Sequence, residues 1–157
     1  MPYGRQVLNT SGRPVMVLAD LGDADWKPGG VTIDWTTVSA ATSDTTLADD
    51  TIIPSGQKGL RYGQILTKIT ATGLFGPYNS GVSDGRQTLA RGAAYILNET
   101  VLEHGALAGT PSNNDNQAVI EGGLVWKARL LTDPSGTTTL PSTAAFEAVF
   151  PRVRYAQ

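Results

Sequence analysis

Glycine punctuation constrains this chain more than any other feature. Between residues 52 and 131 it sets out two strand pairs of similar grammar. The first runs Ile52-Ile53-Pro54-Ser55-Gly56-Gln57-Lys58-Gly59-Leu60-Arg61-Tyr62-Gly63-Gln64-Ile65-Leu66-Thr67-Lys68-Ile69. The second runs Val82-Ser83-Asp84-Gly85-Arg86-Gln87-Thr88-Leu89-Ala90-Arg91-Gly92-Ala93-Ala94-Tyr95-Ile96-Leu97-Asn98-Glu99. Each closes in an apolar strand that follows a glycine, and neither carries an obvious reactive group. That grammar describes a small β module that holds a shape and a surface.

The flanking sequence extends this reading. Residues 1–30 are broken by glycine and proline, and only Val15-Met16-Val17-Leu18 is continuously apolar. We read them as an extended N-terminal arm, because they bury little by themselves. From 31 to 38, Val31, Ile33 and Trp35 alternate with Thr32, Asp34 and Thr36, the period of a half-buried strand. Residues 39–50 are small and polar and read as a loop. In the next strand Ile65, Thr67 and Ile69 share a face, and the run Ala93-Ala94-Tyr95-Ile96-Leu97 reads as central to the core.

Residues 100–105 fit either a strand or one helical turn, and 106–116 read as a loop. Gln117–Glu121 and Leu124–Leu131 read as strands on either side of Gly122-Gly123. In the second of these, Leu124, Trp126, Ala128 and Leu130 form the apolar face. Ser142 is placed to cap a helix over 143–150 that Pro151 stops, and residues 152–157 read as a second short arm. The expected divisions are an arm at 1–30, a β core at 31–133 and a helix with tail at 134–157.

Composition excludes several functions. Of 157 residues none is cysteine, which removes disulfides and thiolate metal sites. Twelve Lys and Arg against 14 Asp and Glu give a net charge of -2, without the basic face that a nucleic-acid binder presents. The start of the chain lacks a basic-then-apolar leader, and no apolar run is long enough to cross a bilayer. The expectation is a soluble protein without membrane or nucleic-acid partners.

Catalytic motifs are missing too. The single histidine, His104, cannot form a His-x-x-x-His zinc site, and there is no Gly-x-Ser-x-Gly elbow. Asp23 and Asp25, and the Asp49-Asp50 pair, lack the further oxygens of a calcium loop and read as turn formers and solubility charges. Gly56-Gln57-Lys58-Gly59 lacks the Gly-Lys-Ser/Thr ending of a phosphate cradle. No cofactor, metal or catalytic residue is assigned, and the expectation is a protein that is not an enzyme. Among the aromatics, Trp35 and Trp126 are in phase with apolar neighbours and read as core. Trp26, Phe75 and Tyr78 lie among Pro and Gly and are the interface candidates.

The succession of these pieces resembles the phage head decoration, or capsid cement, proteins of the lambda type. The residues that carry the resemblance are Gly59-Leu60-Arg61-Tyr62-Gly63-Gln64-Ile65-Leu66, then Gly76-Pro77-Tyr78-Asn79, then Ser83-Asp84-Gly85. Ala93-Ala94-Tyr95-Ile96-Leu97 and Val119-Ile120-Glu121-Gly122-Gly123-Leu124-Val125 complete the order. The resemblance spans about half of the chain. It implies a mainly β, compact small β-barrel or β-tulip-like domain with an extended N-terminal arm and one short C-terminal helix.

It further implies a homotrimer on the outer surface of an icosahedral head, at three-fold and quasi-three-fold sites of the major capsid protein lattice. Such a protein is made in the host cytoplasm, resides in the virion and stabilises the expanded shell. The arm would add a strand to the capsid protein, which places Tyr3, Arg5, Val7, Val15 and Val17 as capsid-binding candidates. The segments 31–50 and 142–150 depart from shorter members of the family. The alternative expectation is a carbohydrate- or receptor-binding β module that uses Trp26, Phe75 and Tyr78.

Overall fold

Continuously apolar strands put apolar side chains on both faces of a sheet, and this chain covers both by laying packing layers on either side of one curled sheet. A computed structural model describes residues 18–46, 52–103, 114–126, 130 and 143–156. The fold is mainly β, its main sheet curled into a half-barrel, with one short helix near the C-terminal end.

In chain order the strands are β1 (Asp25–Trp26), β2 (Val31–Ile33), β3 (Thr45–Thr46), β4 (Ile52–Ile53), β5 (Gly59–Leu60) and β6 (Ile65–Lys68). They continue with β7 (Phe75–Pro77), β8 (Ala94–Leu97), β9 (Val101–Leu102), β10 (Asn114–Gln117) and β11 (Val119–Trp126). Helix α1 (Thr143–Val149) and strand β12 (Arg152–Ala156) follow. The main sheet has eight strands in the order β1-β11-β8-β6-β7-β2-β10, with β12 paired to β11 off this path. Two ribbons, β3-β4 and β5-β9, stand apart from it.

Successive residues of the central strands go to opposite faces. Ile65, Ala94, Ile96 and Ile120 enter one core layer, which Leu18, Val125, Leu130, Phe146, Val149 and Phe150 complete. Leu66, Tyr95, Leu97 and Val119 enter the other, with Val31, Ile33, Trp35, Val38, Leu60 and Phe75. The run from Ala94 to Leu97 is buried throughout and lies between β11 and β6, central to the sheet as its apolar sequence requires. The expected face of Ile65, Thr67 and Ile69 is buried, but so is Leu66 behind it, because this strand is covered on both sides.

Several local readings change. The strand from 31 stops at Ile33, because Asp34 caps a 3-10 turn over Trp35–Thr37: its Oδ1 accepts from the Thr36 N–H at 3.0 Å and from the Thr36 hydroxyl at 2.6 Å. Trp35 still reaches the core, fully buried. Thr45 and Thr46, inside the expected loop, pair with Ile53 and Ile52. Within the stretch left open at 100–105, Val101–Leu102 form β9, which pairs with β5, and 104 and 105 lie outside the described residues. Asn114–Gln117, most of it within another expected loop, pairs with β2.

The glycine pair does not separate two strands. β11 runs through it, and its register against β1 slips by one residue between Ile120 and Gly122, a bulge just before the pair. The bulge reverses the alternation: Ile120 and Val125 share one core layer although an odd number of positions separates them. The described end of the chain is not an arm either. Arg152–Ala156 pairs in parallel with residues 122–126 of β11. Before it, Phe146, Val149 and Phe150 present one helical face to the core, and Pro151, without an N–H, ends the helix. The Ser142 cap lies outside the described residues.

Toward the N-terminus the chain is already tied to the sheet at Leu18, which bridges Val125. The Ala19 N–H donates to the Leu124 carbonyl at 2.8 Å. Residues 18–26 of the expected arm therefore line β11, and residues 1–17 lie outside the described part.

Candidate interaction surface

Large apolar side chains left at the surface of a β domain mark where another molecule gains by covering them. Three are exposed among the described residues: Trp26 at 39%, Ile52 at 54% and Trp126 at 37%. Trp26 sits on β1, a two-residue strand at the sheet edge, opposite Ile120. Its neighbour Lys27 donates its N–H to the Val119 carbonyl and holds its ammonium 5.6 Å from the Tyr95 ring centre. A turn closes behind it, with the Gly30 N–H on the Lys27 carbonyl at 3.1 Å.

One of the other two aromatic candidates is corrected. Phe75 is buried on β7, its ring 5.6 Å from that of Tyr95. Gly76 and Pro77 continue the strand here instead of forming a loop: Pro77 pairs with Leu66 beyond the point where β2 contacts β7, so no ladder N–H is missed. Tyr78 is half-buried against the core layer of Ile65. Trp126, expected in the core, is turned outward by the register shift between Ile120 and Gly122, while Val125 takes the buried place. Ile52 was not singled out by sequence. Its alternation with Ile53, which packs inward near Gly59, is the signal that places it outside.

Tyr3, Arg5, Val7, Val15 and Val17 lie outside the described residues, as do His104 and the Asp49-Asp50 pair. Asp23 and Asp25 do more than form turns: Asp23 pairs with Arg154, and Asp25 with Arg152. Arg152 also holds Glu121 at 3.1 Å. Asp20, not singled out by sequence, forms a turn here, its Oδ1 accepting from the Gly22 N–H at 2.8 Å.

The Ser83-Asp84-Gly85 turn is built on Asp84. Its Oδ1 accepts from the Arg86 N–H at 3.0 Å and its Oδ2 from Arg86 Nε at 2.9 Å. Arg86 is buried and also donates to the Pro77 carbonyl. Desolvation pushes the Asp84 carboxyl up, but the hydrogen bonds and charge of Arg86 outweigh it and hold the group below its ordinary 3.8. A carboxylate whose folded value is depressed contributes stability above its unfolded value and loses it as pH falls through the folded one. Acid titration of stability should therefore show wild type losing more than Asp84→Asn as pH drops below about 4, with denaturant midpoints as the readout.

The remaining buried polar groups form no constellation that resembles a reaction centre. The Asn98 side-chain amide and Gln64 Nε2 are buried without hydrogen-bond partners. Burial pushes the Glu99 carboxyl above its ordinary 4.5. Among the described residues no group of three or more His, Asp or Glu is placed to hold a metal ion. No described helix is long and apolar enough to cross a membrane. Ser80, Gly81, Val82, Ser83 and Asp84 line a shallow open depression whose only carboxylate is the one engaged by Arg86. What the described surface offers is edge strands and isolated exposed apolar side chains. Comparison of the chain with protein-family models, with curated proteins and with solved structures finds no match.

Proposed function

We propose that the chain is a structural virion protein that binds the outer surface of an icosahedral phage head and stabilises it. On this reading it engages the major capsid protein as a homotrimer at three-fold and quasi-three-fold positions and catalyses no reaction. One observation carries the reading. Four of the strands that bear the family resemblance, β11, β8, β6 and β7, are consecutive neighbours at the centre of the main sheet, and the fifth, β5, lies in the separate β5-β9 ribbon. The order of motifs along the chain thus corresponds to one scaffold, and the binding role falls on what surrounds it.

The N-terminal residues suit that role. The chain joins the sheet at Leu18, and the seventeen residues before it contain the apolar run Val15-Met16-Val17. Added as a strand to a capsid protein, they would supply directional backbone hydrogen bonds. Three-fold repetition would turn modest contacts into slow dissociation by avidity. Stabilisation of the shell would follow by mass action, because the protein binds the lattice and not the free subunit.

Co-sedimentation with expanded heads tests this. The full chain should pellet with the heads and raise their resistance to heat, and deletion of residues 1–17 should abolish both effects. The deletion spares Leu18, which is buried, so the core should melt as before. Undiminished binding by the truncated protein overturns the arm's role, and failure of the full chain to bind any head overturns the reading itself. The exposure of Trp26 favours a second reading, a glycan- or receptor-binding module. There, Trp26→Ala would abolish glycan binding while the deletion would leave it intact.

A further inference from the structure

Gly122 lies in a row of three residues that crosses the sheet, with Asp25 of β1 on one side and Arg152 of β12 on the other. A Cβ on Gly122 would stand 2.7 Å from the Arg152 Cβ and 3.1 Å from its carbonyl oxygen. The bare backbone lets β12 approach and leaves the row open for the Arg152 side chain to reach across to Asp25. The next glycine serves the opposite flank: a Cβ on Gly123 would stand 2.9 Å from the Asp23 carbonyl oxygen. Arg154 crosses to Asp23 in the same sense, and Glu121 holds the second arm of the Arg152 guanidinium.

We propose that β12 is a latch on the segment from Leu18 to Trp26, fastened across the glycine pair by Arg152 and Arg154. The segment's other ties are the packing of Leu18 and Ala24 on the core and a few backbone contacts. Its backbone reaches the sheet at Leu18, Ala19, Asp25 and Trp26, with a 3-10 turn between. The two aspartates that β12 grips lie inside that interval. The latch therefore fixes where the chain preceding Leu18 leaves the sheet, and it does so with groups that solvent and salt can reach: the arginine side chains are 54% and 66% exposed. Only its consequence, a salt-dependent presentation of residues 1–17 to a capsid, rests on the function proposed above.

Hydrogen–deuterium exchange on the full chain tests the latch without any capsid. In low salt the double variant Arg152→Gln, Arg154→Gln should exchange about three- to ten-fold faster in peptides covering residues 18–26. Peptides covering β6 and β8 should not change. Added sodium chloride should bring the wild type toward the variant, which keeps the test available if the variant fails to fold. Reversing one pair, Asp23→Arg with Arg154→Asp, should restore much of the protection that either single change removes. Unchanged exchange at 18–26 in variant and salt series alike would overturn the latch, as would an equal acceleration across the whole sheet. Head co-sedimentation, scored separately, reports on the capsid reading alone.

Discussion

Replacing Phe146 with alanine is expected to remove about 3–5 kcal/mol of folding stability. The side chain is 1% exposed and enters the core layer that also holds Leu18, Ile120 and Val125. Its ring lies 4.8 Å from Phe150 and 6.2 Å from Tyr155, so truncation opens a void that neither neighbour can fill without leaving its own contacts. Domains of this size are stable by about 5–15 kcal/mol, so the loss would consume a large part of the total. Chemical denaturation followed by tryptophan fluorescence measures it. A change below about 0.5 kcal/mol, the size of a typical surface substitution, would mean that α1 does not seal this layer.

The second large effect is expected at Gly85, where alanine should cost about 3 kcal/mol through strain and crowding together. Its φ of +112° is one that side chains rarely adopt. A Cβ there would also stand 2.7 Å from the Lys68 carbonyl oxygen and 2.9 Å from the Thr70 nitrogen, both of them backbone. Backbone cannot swing aside as a side-chain tip does. The same turn carries the hydrogen bond from Thr70 N–H to the Asp84 carbonyl, 2.9 Å, which fixes it to the end of β6. A thermal melt unaltered by Gly85→Ala would show that the turn can relax away from that strand.

Which features were legible in the sequence depended on whether their cause was local. The run from Ala94 to Leu97 announced a central strand, because four consecutive apolar residues need cover on both faces. The helix near the end was legible from Phe146, Val149 and Phe150 at helical spacing, closed by Pro151. Trp126 was misplaced because period-two counting assumes an unbroken ladder, and the bulge between Ile120 and Gly122 shifts the count by one. Phe75 was misplaced for another reason: Gly76 and Pro77 carry turn chemistry, yet neighbouring strands overrule it.

At the interaction surface, Trp26 is exposed, Tyr78 is half-buried and only Phe75 of the three aromatic candidates is buried. The Asp34-Trp35-Thr36 turn and β12 could have been read. Asp34 is a capping residue two positions before Thr36, and Arg152, Val153, Arg154 and Tyr155 alternate polar with apolar. What hid β12 was its partner, a strand some thirty residues earlier that no local pattern identifies.

The placement of β12 also sets an order of events during synthesis. Asp23 and Arg154 are 131 residues apart in sequence, yet they meet across β11. A chain emerging from its N-terminal end can pair β6 with β7 and β8 early, because those partners follow closely. The row through Gly122 has to wait until residues 152–156 have been made. Contacts of such sequence separation carry a high loop-closure cost and form late. Until then one side of β11 beyond Ile120 stays an open edge, the kind of template on which strands of nascent chains pair wrongly. Of the described strands, the one made last is the one that caps it.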